Sequence, residues 1–217
     1  MSDALDRVPV FPLPNVVLFP GVVLPLHIFE PRYRVMVKDA LAARAEIAIA
    51  LLKPGWEGNY PGTPPVYEIG CLGSLENIRP LPDGRYLLNC VGLSRVRFDS
   101  WLQMTPYRLA RCVPLPERGP ARNSAESRDM AIQLSLTFQV LLRELSGSSA
   151  PLLVEESPSL ESIVNRICFS LDIPSEEKQL LLQEDNLTAR ARVAGEHLDR
   201  LVCALATSPD NAGTEIN

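Results

Sequence analysis

Two periodicities divide the chain. Up to residue 113 apolar positions mostly alternate, as in strands whose side chains point to opposite faces. After residue 123 they recur every three or four positions, as on a helix. The first half therefore reads as short strands with one early helix. Val8–Leu13 is the first strand, and Pro9 and Pro12, which lack ladder donors, place it at an edge or a bulge. Pro14-Asn15 and Pro20-Gly21 are turns. Val22, Leu24, Leu26 and Ile28 share one face of the next strand, and Val23 on the other face predicts cover on both sides. This strand runs straight into a helix. Pro31 suits the first helical turn, where a missing N–H costs nothing, and Glu30 puts negative charge near the positive end of the dipole. Tyr33, Met36, Val37, Ala40 and Leu41 form the helix's apolar stripe, which ends near Arg44.

Glu46–Leu52 is another strand. Lys53–Pro65 breaks the pattern: three glycines and four prolines in thirteen residues allow neither helix nor paired strand. This loop carries Trp56 and Tyr60, residue types enriched at binding hot spots. Two readings stand: both rings meet a partner, or both pack back and pin the loop. Val66–Asn77 is a strand bent at Gly70 and Gly73, and Leu81-Pro82-Asp83-Gly84 is the turn that leads into Arg85–Phe98. Tyr107–Val113 is the last strand. Such a set predicts a small closed or half-closed β-barrel.

Pro114–Asn123 is a linker by composition. Beyond it Ser124 caps a helix striped with Met130, Leu134, Phe138, Leu141, Leu142 and Leu145, which ends at Ser146-Gly147. Ser157-Pro158 opens the next helix, with Leu160, Ile163, Val164 and Ile167 inward. Pro174 starts a short third helix whose first-turn acids match its dipole, and Asn186 caps a fourth. The expected modules are 1–118, β-rich, and 124–207, a small all-α helical subdomain, with 208–217 a disordered polar tail.

Composition narrows the chemistry. A length of 217 residues suits two small domains, and a net charge of −5 argues against a general nucleic-acid binder. Through Arg118 there are 13 basic and 11 acidic residues, so the acidic excess falls in the second half. Five scattered cysteines without a Cys-x-x-Cys step, and two histidines far apart, speak against zinc and for a reducing cytoplasm. No apolar run approaches the ~20 residues that span a bilayer.

Val8-Pro9-Val10-Phe11-Pro12-Leu13-Pro14-Asn15, Leu18-Phe19-Pro20-Gly21 and Leu24-Pro25-Leu26-His27-Ile28-Phe29-Glu30-Pro31-Arg32-Tyr33 occur in this order and spacing. Together they resemble the opening of the Lon protease N-terminal domain, most closely the small free-standing bacterial proteins made of that domain alone. Leu171–Arg190 resembles the part of Lon where a short helix leads to a long one. The resemblance implies an α+β protein: a PUA-like β pseudobarrel with one early helix, followed by a small helical subdomain. The role it implies is recognition of protein or unfolded peptide segments.

Lon's enzymatic parts have no counterpart here. There is no Gly-x-x-x-x-Gly-Lys-[Ser/Thr] loop, and lysine occurs only at 38, 53 and 178, so neither ATPase nor peptidase is expected. Cys–His or Ser–His chemistry has only His27 and His197 as bases, and no nucleophile–base pair assembles. No cofactor or metal is expected. Arg95 and Arg97 read as a solvated strand face. The candidate partner-binding residues are Trp56, Tyr60, His27, Glu30, Arg32 and Tyr33; for the Glu-x-Arg-Tyr set a capping and packing role is the competing reading. The expected function is non-catalytic protein or peptide recognition, and the alternative is a PUA-type small-molecule or RNA-binding module.

Overall fold

The first strand shows how the chain tolerates proline inside a sheet. In the computed structural model, which describes residues 4–60, 62–122, 124–146 and 159–207, β1 (Leu5–Leu13) lies between two other strands. It pairs with β6 (Arg108–Pro114) from Leu5 to Val10, and with β3 (Ile47–Leu51) from Val10 to Leu13. Pro9 therefore faces a ladder on the β6 side only, and Pro12 on the β3 side only. Each proline sits where one flank asks nothing of its nitrogen, so the expected edge position gives way to two half-ladders. A register shift between Leu5 and Val8, with Arg7 at φ 59°, supplies the bulge.

The remaining strands are β2 (Val23–Ile28), β4 (Ile69–Pro80) and β5 (Tyr86–Gln103). The sheet has six strands in the order β2-β5-β4-β3-β1-β6, and β5 also pairs with β6, so five of them close into a ring. The two glycines expected to bend β4 are positions where the backbone is closely approached. A Cβ on Gly70 would collide with the Ile49 carbonyl, and one on Gly73 would crowd the Cys90 sulfur. Gly84, at φ 81°, closes the expected turn between β4 and β5, and its N–H donates to the Leu81 carbonyl at 2.9 Å.

Helix α1 (Pro31–Ala43) begins at its proline as predicted, buries Tyr33, Met36, Val37 and Ala40, and ends on Arg44 in the left-handed conformation. All five residues of β3 are buried, so both of its faces are covered. Ala48 and Ala50 join Val8, Val10, Leu72, Val96, Phe98 and Cys112 in one apolar cluster. At ~25 cal/mol per Å² such clusters are the main favourable term in folding. The expectation of cover on both sides fails for β2: Val23, Pro25 and His27 are exposed while Leu24 and Ile28 are buried. As the terminal strand of the sheet, β2 carries neighbours on one flank and one face only.

The helices are α2 (Ala125–Ser146), α3 (Leu160–Ser170), α4 (Ser175–Gln183) and α5 (Leu187–Thr207). Ser124, Ser159 and Asn186 cap α2, α3 and α5 by accepting a backbone N–H at 3.1 Å. Ser157-Pro158, expected to open α3, and the tail 208–217 lie outside the described residues.

The chain forms two compact units whose boundary is not a single linker. The first runs to Glu117 and takes back Asp172–Asp185; the second consists of Arg118–Leu171 and the residues from Asn186 onward. Helix α4 therefore belongs with the sheet, where the Gln179 side-chain amide donates to the Ile69 carbonyl at 2.8 Å. Arg95 reinforces this. Its side chain is fully buried, against the solvated face expected for it, while Arg97 is exposed. The guanidinium donates to Glu117 at 2.5 Å and to the carbonyls of Pro116, Leu182 and Glu184, each at 3.1 Å. Within the second unit α2, α3 and α5 meet through Leu134, Phe138, Ile163, Val164, Ile167, Ala191, Ala194 and Leu198, all buried. Buried Arg190 there donates to the Asn165 side-chain oxygen at 2.8 Å.

Candidate functional site

The Ile-Phe-Glu-x-Arg-Tyr exit from β2 is built around one arginine. Arg32, in the first turn of α1, donates through Nε to Glu30 at 3.0 Å. Its other nitrogens donate to the carbonyls of Tyr60 at 3.2 Å and Gly62 at 3.3 Å. The Tyr60 hydroxyl closes the circuit by donating to the second Glu30 oxygen at 2.6 Å. Glu30 flanks the helix as expected but makes no side-chain cap; its carboxylate is committed to Arg32 and Tyr60. Burial, then the hydrogen bond to Glu30, holds the Tyr60 phenol above its ordinary pKa. This lattice pins the 53–65 loop onto α1.

Aromatic faces complete the arrangement. The Arg32 guanidinium lies 4.6 Å from the Tyr33 ring centre and 5.2 Å from that of Tyr60. Trp56 meets Tyr60 edge-on at 5.4 Å, and both rings, each half-buried, pack against the Val8–Cys112 cluster. Tyr33 is buried against Phe11 at 4.4 Å, and burial raises its pKa well beyond the usual phenol range. It supports the lattice from beneath. His27 is not part of this group: it stands exposed on β2, 5.7 Å from the ring of Phe29, which is 59% exposed.

Four residues that the sequence reading did not single out extend the surface. Strand β5 runs on to Gln103 and forms a hairpin with β6, which brings Trp101 onto Phe98 at 5.5 Å in a stacked pair. Arg108, 5% exposed, donates to the Pro64 carbonyl at 2.5 Å and lies 5.7 Å from the Trp101 ring. Arg108 thus ties the 53–65 loop to the hairpin, and burial depresses its pKa. Trp101, Leu102 and Met104 are exposed at the hairpin end. Their signal was present in the run Trp-Leu-Gln-Met, whose apolar residues do not alternate and therefore cannot all face a core.

The resulting surface presents Trp56, Tyr60 and Trp101 beside Arg32, with buried Arg108 holding the loop and hairpin together beneath it. Trp, Tyr and Arg are the residue types that dominate binding hot spots; Trp and Tyr bury large areas with few torsions to immobilise, and Arg brings a planar fork of donors. Among the described residues no group of three or more His, Cys, Asp or Glu side chains is placed to hold a metal, and no helix is long and apolar enough to cross a membrane.

Comparison with known proteins agrees with the opening motif. The chain is 30% identical over 202 residues to Lon protease 2 of Myxococcus xanthus, and 30% identical over 202 residues to the Lon protease of Anaeromyxobacter dehalogenans. Each alignment covers 92% of this chain, which spans about 24% of the length of these relatives. Its fold is similar to that of a Lon N-terminal domain protein from Xanthomonas campestris, with a TM-score of 0.62 and 20% identity over 87% of this chain and 96% of that one. It is similar as well to the N-terminal domain of Mycobacterium avium complex Lon protease, with a TM-score of 0.69 and 15% identity over 91% and 98% of the two chains. Residues 7–200 match the family described as the ATP-dependent protease La (LON) substrate-binding domain, and the chain belongs to that family.

Proposed function

We propose that this chain is a non-catalytic module that recognises protein or unfolded peptide segments through the surface formed by Trp56, Tyr60, Trp101 and Arg32, which buried Arg108 supports from beneath. The observation that carries this reading is the clustering of half-exposed aromatic rings around Arg32 and the buried Arg108, with two of the rings, Trp56 and Tyr60, on a loop already fixed by hydrogen bonds. A loop ordered before binding loses little entropy when it meets a partner. Family membership supports the same reading. In it Glu30 and Tyr33 position Arg32 and Tyr60, and His27 with Phe29 forms a separate contact on β2. The ring of strands closed by the β5–β6 pairing supports description as a PUA-like pseudobarrel, and α2, α3 and α5 as its helical companion. Five free thiols support a cytoplasmic place of action.

The test is binding of a reduced, alkylated and therefore permanently unfolded protein, measured by fluorescence anisotropy against its folded form. Wild-type protein should bind the unfolded form, and Trp56→Ala and Trp101→Ala should each weaken it by at least ~2 kcal/mol. Equal binding by wild type and both variants would overturn the surface. Tight binding of single-stranded RNA with a steep loss in salt would favour the RNA-binding alternative.

A further inference from the structure

A second site forms between α1 and the β4–β5 turn. Pro31, Arg34, Val35 and Lys38 face Gly84 and Tyr86 across a pocket of about 370 Å³. That is at the small end of the ~300–1,000 Å³ typical of ligand sites. Two cations one helical turn apart line it, and none of its lining residues is acidic. Arg34 reaches toward the turn. Gly84 has no side chain, and a Cβ there would collide with the Arg34 guanidinium. The Arg34 guanidinium therefore lies directly over the turn.

The acids next to the lining residues in sequence are already engaged. Asp83 accepts from the Arg85 side chain at 2.7 Å and from its backbone N–H at 3.1 Å. The Arg85 N–H, more than any other group, holds the Asp83 carboxyl below its usual range, and Arg34 contributes least. Asp39 accepts from the Tyr107 hydroxyl at 2.8 Å, and Glu30 serves Arg32 and Tyr60. Among the described residues Arg34 and Lys38 enter no ion pair, on a protein whose net charge is −5. Pro31, Val35 (43% exposed) and Tyr86 give the pocket an apolar wall.

We infer that this pocket binds a peptide carboxylate adjacent to an apolar side chain: the anion between Arg34 and Lys38, and the apolar group against Val35 and Tyr86. The inference rests on the peptide-recognition reading and deepens it, because it adds a second site that selects for a carboxylate. Two cations are too few for a polyanion such as RNA, whose affinity comes from many phosphate contacts. The carboxylate can come from an Asp or Glu side chain or from a chain terminus, and the test separates the two.

Four fluorescent peptides distinguish the cases: Gly-Ser-Asp-Phe-Ser-Gly ending in an amide, its Asn isostere, and the Asn peptide ending in Phe as the free acid or the amide. They are titrated against wild type, Arg34→Gln/Lys38→Gln, and Arg97→Gln as an exposed-arginine control, at about 50 and 300 mM salt. Wild type and Arg97→Gln should prefer one carboxylate peptide over its neutral partner by at least about tenfold, less at high salt. The double variant should lose that preference while binding the neutral peptide as wild type does. Preference for the Asp peptide assigns a side chain, and preference for the free acid assigns a terminus. Equal binding of carboxylate and neutral peptides, persistence of the preference in the double variant, or equal competition by inorganic phosphate would each overturn the assignment. Binding of the unfolded protein with no such preference overturns this inference alone. If wild type binds neither peptides nor the unfolded protein, the recognition reading falls with it.

Discussion

Replacing Arg95 by methionine tests the most heavily connected polar group in the first unit. Methionine keeps the stem's length and removes the charge and all donors. In the native protein the guanidinium, with its side chain 0% exposed, contacts Glu117 at 2.5 Å and three carbonyls at 3.1 Å. A lost hydrogen bond that leaves a buried acceptor unpaired costs ~1–3 kcal/mol, and breaking a buried ion pair by removing one partner costs ~3–5 kcal/mol. These figures overlap, since Glu117 is 20% exposed and can turn partly to water. We expect a net loss of about 3–5 kcal/mol, a large share of the ~5–15 kcal/mol by which domains are stable. Arg95→Lys should lose about half as much, because one ammonium cannot span four acceptors in a fork. Urea unfolding followed by tryptophan fluorescence measures the total. Hydrogen exchange localises it: amides of α4 should lose protection before those of β4, since two of the contacts hold the chain at Leu182 and Glu184. An Arg95→Met protein within ~0.5 kcal/mol of wild type, as for a solvated strand arginine, would refute the reasoning.

Further outcomes follow from other parts of the structure. Cys71, Cys90, Cys112 and Cys168 are buried and Cys203 is exposed, so a thiol reagent should label Cys203 quickly and the other four only on unfolding. Burial pushes the Cys90 and Cys112 thiols up to about 12. Folding thus favours the protonated thiol: stability should be fully present below ~8.5, the unfolded value, and fall as pH rises toward 12. By pH ~10.5 each thiol should account for a loss of up to about 2–3 kcal/mol, which Cys90→Ala would remove from the pH slope of urea unfolding. Glu30→Gln should remove the charge and one of the two acceptor oxygens shared by Arg32 and the Tyr60 hydroxyl, lower the Tyr60 pKa in a spectrophotometric titration, and speed proteolytic nicking in the 53–65 loop; an unchanged cleavage rate would contradict the pinning role. Purified protein should hydrolyse neither ATP nor casein above a buffer control, and activity that survives removal of contaminants would defeat the non-catalytic reading.

What could be read from sequence was local. The proline start of α1, the Asp83-Gly84 turn and the caps at Ser124 and Asn186 each follow from one residue's conformational preference, and each is present. Long-range partners were less legible. Pro9 and Pro12 signalled missing donors but not that two neighbouring strands would divide the ladder between them. Arg95 alternates with apolar residues and so resembled Arg97; its burial depends on carbonyls almost ninety positions later. The hydrophobic period changes near Glu117, where the first segment of the first unit ends, but helical periodicity does not show what a helix packs on, and α4 packs on the sheet. In the site, the Glu30–Arg32–Tyr33 exit was legible as a motif and Tyr60 as a loop aromatic. Their hydrogen bonds, and the arrival of Trp101 and Arg108, required the tertiary fold.

The return of Asp172–Asp185 to the first unit also sets an order of events during synthesis. A ribosome releases the chain from its N-terminus, so β1 to β6 emerge while their last element is still uncoded into protein. The sheet must wait through Arg118–Leu171 before α4 and the carbonyls of Leu182 and Glu184 arrive. At ~5–20 residues per second that interval is on the order of 3–14 s. Throughout it the Arg95 guanidinium has Pro116 and Glu117 within reach but lacks its distal acceptors, so the nascent sheet stays hydrated at the place where the finished protein is dry.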